Sequence, residues 1–236
     1  MNALNKVLWR MQYEKSRRIP LEKIQPFSDP AQLAAFLRFN QYLTDKTNTR
    51  LEPLYQLRLL EIDRLLRKYD VHSVYEMGSG RTTFFFNLFR NIDTVSYEQD
   101  EQWRELQLKY SDENGLPRPQ IVESATESYR NGGRFVALQG SRCDLLYIDG
   151  PYISRTRSKF DTHTGKPAYF DFERFLDAGL PKIIMVEGRT DTVDAILASP
   201  HAREYDFNGE LTWALERHRY AHALRLSRHS IFLRKS

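Results

Sequence analysis

The stretch Val74-Tyr75-Glu76-Met77-Gly78-Ser79-Gly80-Arg81-Thr82-Thr83 joins an apolar run to a carboxylate, then to two glycines one residue apart and a pair of hydroxyls. An apolar run that stops at Gly-x-Gly and resumes as the helical pattern "TTFFFNLFRN" reads as strand, tight turn and helix. The same rhythm continues along the chain. "DTVSYE" precedes "DEQWRELQLKYSD", "PQIVES" follows, "CDLLYIDG" precedes "YFDFERFLDAG", and "KIIMVEG" precedes "DTVDAILAS". Runs apolar at nearly every position suit strands covered on both faces, as in parallel sheets. Their alternation with helices predicts an α/β fold, a doubly wound, mostly parallel sheet with right-handed crossovers. Near the end, "ALRLS" and "HSIFLRK" predict an antiparallel pair closing the sheet edge.

The first third has a different rhythm. "DPAQLAAFLRFNQYL" opens on an Asp cap with Pro behind it, and Leu33, Phe36, Leu37 and Leu43 recur at helical spacing. "LEPLYQLRLLEIDRLLRKY" repeats the pattern. The expected organisation is an N-terminal helical extension, 1–70, and a Rossmann-like catalytic domain, 71–236.

Composition narrows the class. Of 236 residues, 41% are hydrophobic, enough for a core without covalent staples, and the single cysteine, Cys143, rules out a disulfide framework. No apolar run reaches bilayer length, and the basic N-terminus lacks a signal-peptide apolar segment, so a cytoplasmic location is expected. Net charge is +4. That basicity is compatible with nucleic acid or anionic lipid but specifies neither, and no zinc-finger or RNP signature accompanies it.

In such sheets ligands bind beyond the carboxyl ends of the strands. Three ligands compete for the glycine turn. A P-loop requires a Lys after the second glycine, and none is present. A dinucleotide turn has a third glycine where Thr83 stands, and a pyrophosphate would meet a like charge in Glu76. A cationic nucleoside such as S-adenosylmethionine reverses that sign. Glu98, ending the second strand about twenty residues on, is placed to accept from the two hydroxyls of a ribose, whichever adenosine cofactor is bound. Asp100 suits the cap of the helix that follows.

Together, "VYEMGSGRTTFFF", "TVSYEQDEQW", "CDLLYIDGPY" and "IIMVEG" resemble the class I S-adenosylmethionine-dependent methyltransferases. They are most similar to a branch whose first motif reads E-x-G-S-G-x-[ST]-T and whose second strand runs into V-E-x-D-x-x-W. The resemblance covers 71–236. It implies S-adenosyl-L-methionine as cofactor, with Glu76, Gly78, Ser79 and Gly80 cradling its methionine portion and Glu98 its ribose. Gln99 or Trp103 would lie near the adenine, with Glu123 and Ser124 at its edge. The fifth-strand motif departs from the pattern, reading Glu187-Gly188-Arg189 where relatives more often carry Asp.

For transfer to a hydroxyl, the protein must place the acceptor and remove its proton. Asp149, at the end of "LLYIDG", is a candidate base or an anchor for the cofactor. In the long polar loop that follows, His163 is a second candidate base, Tyr152 a pocket wall, and Arg155, Arg157 and Lys159 candidate contacts to an anionic acceptor. Arg189 is expected to contact the acceptor or pair with Glu187. Related small-molecule enzymes bind a divalent metal at the Asp149 position. Glu187 and Asp191 are the available partners here, but no Asp-Asn pair follows, so no metal is expected. His218 and His222 stand four apart, without a third ligand in register.

The expected activity is therefore O-methylation of a small-molecule or saccharide acceptor. The rivals are an NAD(P)-dependent enzyme on a variant dinucleotide fold and a non-catalytic protein that binds nucleic acid or lipid.

Overall fold

The computed structural model describes residues 30–47, 53–88, 92–150, 168–207 and 229–236. These residues belong to two units, one within 1–70 and one comprising 71–209 with 229–236. The first contains α1 (Pro30–Thr47) and α2 (Pro53–Lys68). In α1, Phe36, Phe39 and Leu43 are buried at helical spacing, whereas Leu37, expected on that face, is exposed. Asn40 takes an inward position instead, donating its side-chain amide to the Phe36 carbonyl at 2.8 Å.

The second unit is built on β1 (Ser73–Met77), β2 (Asp93–Glu98), β3 (Gln120–Glu123), β6 (Leu145–Ile148), β8 (Ile183–Glu187), β9 (Tyr205–Phe207) and β10 (His229–Arg234). They form one seven-stranded sheet in the order β3-β2-β1-β6-β8-β10-β9. The strands β3, β2, β1, β6 and β8 run parallel, and β10 is antiparallel to both β8 and β9. The fold is thus the doubly wound sheet expected, with an antiparallel strand near its edge. The "HSIFLRK" strand forms as expected but lies between β8 and β9, and its described edge partner is Tyr205–Phe207. "ALRLS" lies outside the described residues.

Helices α3 (Arg81–Asn87), α4 (Glu101–Glu113), α5 (Asp171–Ala178) and α6 (Thr190–Leu197) cover the sheet. Side chains alternate across a strand, so β1 serves two layers. Tyr75 meets Phe175 of α5 with ring centroids 5.0 Å apart, and Met77 joins the same cluster with Phe172, Leu176, Val193 and Ile196. On the opposite face, Phe86 of α3 packs edge-on against Tyr147 at 5.8 Å, and Phe84 against Tyr110 at 5.6 Å. Every residue of β6 and β8 is buried, which explains why both are continuously apolar up to their last residues.

A second sheet was not anticipated. β4 (Thr126–Tyr129) and β5 (Gly132–Phe135) pair antiparallel, and β7 (Ala168–Tyr169) adds parallel to β5. The connection between β4 and β5 is the two residues Arg130-Asn131, with Arg130 at φ 51°. The Asn131-Gly132 dipeptide in "SYRNGGRF" overlaps this turn by one residue, with Gly132 already paired in β5.

Candidate functional site

The carboxyl ends of β1, β2, β3, β6 and β8 lie on one rim, and the sequence places Glu76, Glu98, Glu123, Asp149 and Glu187 there. The turn after β1 is held from several sides. Gly78 adopts φ +88°, open mainly to glycine, and a Cβ on it would sit 2.5 Å from the Gly150 Cα. The two backbones therefore abut, and the ends of β1 and β6 are fastened by the amides of Asp149 and Gly150, both donating to the Met77 carbonyl.

All three amides of Gly78-Ser79-Gly80 are spent inside the protein. Gly78 donates to the Tyr97 carbonyl at 2.9 Å, Ser79 to Glu98 Oε2 at 2.9 Å, and Gly80 to Thr83 Oγ1 at 2.7 Å. Glu98 is a hub. Its Oε2 also accepts the Ser79 hydroxyl at 2.9 Å, while Oε1 accepts the amides of Gln99 at 2.9 Å and Asp100 at 3.0 Å. Burial raises its pKa despite these donors. Asp100 caps α4 as expected, accepting from the Trp103 amide at 3.1 Å.

Glu76 occupies a different place from the one expected. It was expected to face a ligand, but its side chain is fully buried beneath the turn. It accepts the hydroxyls of Thr82, of Thr83 at 2.5 Å and of Ser96 at 2.6 Å. The reason is the alternation of β1, which turns Glu76 toward α3, where the two threonines of its first turn wait. Desolvation, with a smaller contribution from the Asp149 charge, pushes its pKa up to about 7. Its contribution is to hold the turn and the start of α3 together.

Trp103 and Gln107, one turn apart on α4, reach back to the same serine. The Trp103 indole donates to the Ser79 carbonyl at 2.7 Å, and the Gln107 amide to Ser79 Oγ at 2.7 Å. Sequence reasoning put Trp103 near the adenine and missed Gln107, Thr82, Thr83 and Ser96. The signal for the threonines was present: hydroxyls on the first turn of a helix that follows a buried acid. Above Gly80 the space is open, since a Cβ there would meet only the Trp103 indole nitrogen, at 4.0 Å. Ser124 is buried beside Glu98. Its amide donates to the Glu98 carbonyl at 2.8 Å, and its hydroxyl accepts from the Ala137 amide at 2.9 Å.

Asp149 is half-buried at the end of β6, and among the described residues no hydrogen bond reaches its carboxylate. Its carbonyl accepts from the Arg189 guanidinium. Arg189, expected to contact an acceptor, is instead buried, with its guanidinium 4.5 Å from the Tyr169 ring centre. Glu187 accepts the Tyr147 hydroxyl at 2.8 Å, and no ion pair joins it to Arg189 among the described residues. Among the described residues no group of three or more His, Cys, Asp or Glu is arranged to hold a metal ion. No described helix is long and apolar enough to cross a membrane. Tyr152, Arg155, Arg157, Lys159, His163, His218 and His222 lie outside the described residues.

No protein-family model matches the chain, and no curated protein matches it in sequence. Among solved structures, it is similar to the O-methyltransferase TomG of Streptomyces achromogenes at 11% identity and TM-score 0.45, covering 100% of both chains. It is similar to an O-methyltransferase from Bacillus cereus at 13% identity and TM-score 0.42, covering 95% of this chain and 96% of that one. A methyltransferase from Geobacter sulfurreducens matches at 17% identity and TM-score 0.43, covering 91% and 95%. These likenesses are distant, and the fold is read from the strand order and register above.

Proposed function

We propose that this protein is an S-adenosylmethionine-dependent methyltransferase that acts on a hydroxyl or carboxylate oxygen of a small-molecule or saccharide acceptor. The observation that carries the reading is the full engagement of the glycine-turn amides. A pyrophosphate at such a turn is held by backbone N–H groups. Here Tyr97, Glu98 and Thr83 have taken all three, and α3 behind the turn is only seven residues long. A dinucleotide would have to displace a carboxylate and bring its own negative charge beside it. A nucleoside without phosphates needs no such donors, and it gains from the carboxylate at the β2 tip. This argument replaces the expected one, in which Glu76 faced the ligand directly. The strand order, with the antiparallel β10 set between β8 and β9, agrees with the architecture that the sequence resemblance implies.

The residues present suit the cofactor. A Cβ on Gly80 would meet only the Trp103 indole nitrogen, at 4.0 Å, so a ligand can approach the turn there. Glu98 lies at the rim where a ribose would need an acceptor once one of its present donors is released. Glu98 would hold the ribose, Gly78 to Gly80 would lie along the methionine portion, and Gln99 and Trp103 would border the adenine. S-adenosylmethionine supplies a methyl group made electrophilic by its sulfonium. Asp149, whose carboxylate receives no hydrogen bond from the described residues, is the group at the rim suited to take the acceptor's proton or to anchor an ammonium. Arg189 positions it by holding its carbonyl rather than by touching an acceptor. A cytoplasmic location and an acceptor loop carrying Tyr152, Arg155, Arg157 and His163 belong to the same proposal.

Calorimetric titration of the full chain with S-adenosylhomocysteine, NAD and NADP tests it. Binding of the sulfur nucleoside alone is the expected result. Binding of NAD or NADP without S-adenosylhomocysteine overturns the reading.

A further inference from the structure

Ser79 is clamped at both ends of its backbone. Its amide donates to Glu98 Oε2 at 2.9 Å, and its carbonyl accepts from Trp103 Nε1 at 2.7 Å. Its hydroxyl is the one part able to turn. It donates to the same Glu98 oxygen at 2.9 Å and accepts from Gln107 Nε2 at 2.7 Å. Glu98 thus receives four donors, about the full capacity of a carboxylate. As it stands, it has no acceptor site left for a ribose.

Gln107 is completely buried, and among the described residues its Oε1 has no hydrogen-bond partner. A buried unpaired amide oxygen is costly and calls for an explanation. A half-turn of the terminal amide brings that oxygen to the place Nε2 now holds. The Ser79 hydroxyl can then rotate and donate to Gln107 instead of Glu98. The turn leaves the Gln107 NH2 unpaired in place of its oxygen, and its contacts to Ser79 Oγ and, at 3.4 Å, to the Trp103 carbonyl are given up. It is therefore unfavourable alone, and it becomes favourable once a ligand hydroxyl fills the lone pair released on Glu98.

We propose that Gln107 is a positioning residue: it decides which acceptor takes the Ser79 hydroxyl proton, and so whether Glu98 is open to a nucleoside diol. The proposal rests on the nucleoside reading above. It makes the pocket's preference for a ribose over a dideoxyribose depend on a residue two turns into a helix and out of contact with the sugar.

The test is titration of the full chain, wild type and Gln107→Met, with adenosine and with 2′,3′-dideoxyadenosine. Wild type should prefer adenosine. In Gln107→Met, with no acceptor at this place, the hydroxyl stays on Glu98 and the preference falls about tenfold, the scale of one hydrogen bond to a charged group. Dideoxyadenosine affinity should not change. Gln107→Glu, which restores an acceptor, should recover the preference. An unchanged preference in Gln107→Met overturns the proposal, as does an equal weakening of both ligands, which would mark a merely structural role. If wild type binds neither nucleoside and no S-adenosylhomocysteine either, the cofactor reading itself fails. Amide hydrogen exchange at Ser79 in the ligand-free protein then judges the contact: faster exchange in Gln107→Met supports the anchor, and unchanged exchange removes it.

Discussion

Gly78 and Gly150 touch through their backbones: a Cβ on Gly78 would fall 2.5 Å from the Gly150 Cα, and one on Gly150 would fall 2.6 Å from the Gly78 amide nitrogen. This contact joins the turns that follow two neighbouring strands, β1 and β6, and so sets the distance between the glycine turn and Asp149. Neither side has a flexible side chain to yield, because the obstructing atoms are main chain. Gly150→Ala should therefore cost about 1–3 kcal/mol or more, the range of an overpacked core site, read as a lower urea midpoint with unchanged m-value. Gly78→Ala should cost at least as much, since its φ of +88° adds strain. A midpoint like wild type for either variant would mean that the two turns do not abut.

The buried carboxylate of Glu76 makes stability fall as pH rises. Its ordinary value of 4.5 goes up to about 7 in the folded protein, so the folded state binds a proton that the unfolded state has released. Between these values the native form loses ground with each pH step, by about 3 kcal/mol over the whole window. Asp171, pushed up to about 7 by burial although the Phe135 amide donates to it, acts in the same direction. Glu76→Gln, which cannot ionise, should flatten part of the decline between pH 5 and pH 7 in urea titrations. A wild-type slope identical to that of the variant would show that Glu76 is already ionised under the turn.

Four donors converge on Glu98, and this fixes what a neutral substitute would do. Glu98→Gln replaces one acceptor oxygen with an NH2 that must face either the Ser79 pair or the amides of Gln99 and Asp100. Donor then meets donor in a buried place. A loss of about 1–3 kcal/mol is expected in chemical denaturation, together with weaker S-adenosylhomocysteine binding. Wild-type stability in this variant would mean that the carboxylate does not hold the turn.

The parts of this structure that were legible in the chain are those in which pattern and burial coincide. β2 spans the "DTVSYE" run in full, and the apolar runs of β6 and β8 announced strands covered on both sides. The three-stranded sheet was not legible from periodicity, because β4 carries the exposed or half-exposed pattern of a hairpin and β7 is two residues long. The Asn131-Gly132 dipeptide was the one local cue, and the sequence reading did not take it up. In the candidate site, the residue types at the strand tips were readable, but their directions were not. Glu76, paired with Ser96 and one residue short of its strand's end, is sealed beneath the turn, while Glu98, the last residue of β2, reaches the turn's own amide at Ser79. Gln107 escaped notice because it is one polar residue among many on a helix, and only its 2.7 Å contact with Ser79 sets it apart.

Arg189 offers the last check, because its place differs most from the expected one. The side chain is buried with the guanidinium over Tyr169 at 4.5 Å and one arm on the Asp149 carbonyl, while its Nε has no partner among the described residues. A planar fork can stack on the ring and reach the carbonyl at once, whereas a lysine ammonium is a point charge on a flexible stem. Arg189→Lys should lose the stacking and leave the carbonyl unmet, lowering stability by about 1–3 kcal/mol. Arg189→Met keeps much of the apolar stem without the charge, so it separates packing from the guanidinium's own contribution. If Arg189 instead serves an acceptor, both variants should denature like wild type. A measured urea midpoint below wild type in Arg189→Lys, with Arg189→Met no more stable, places the residue in the scaffold that presents Asp149.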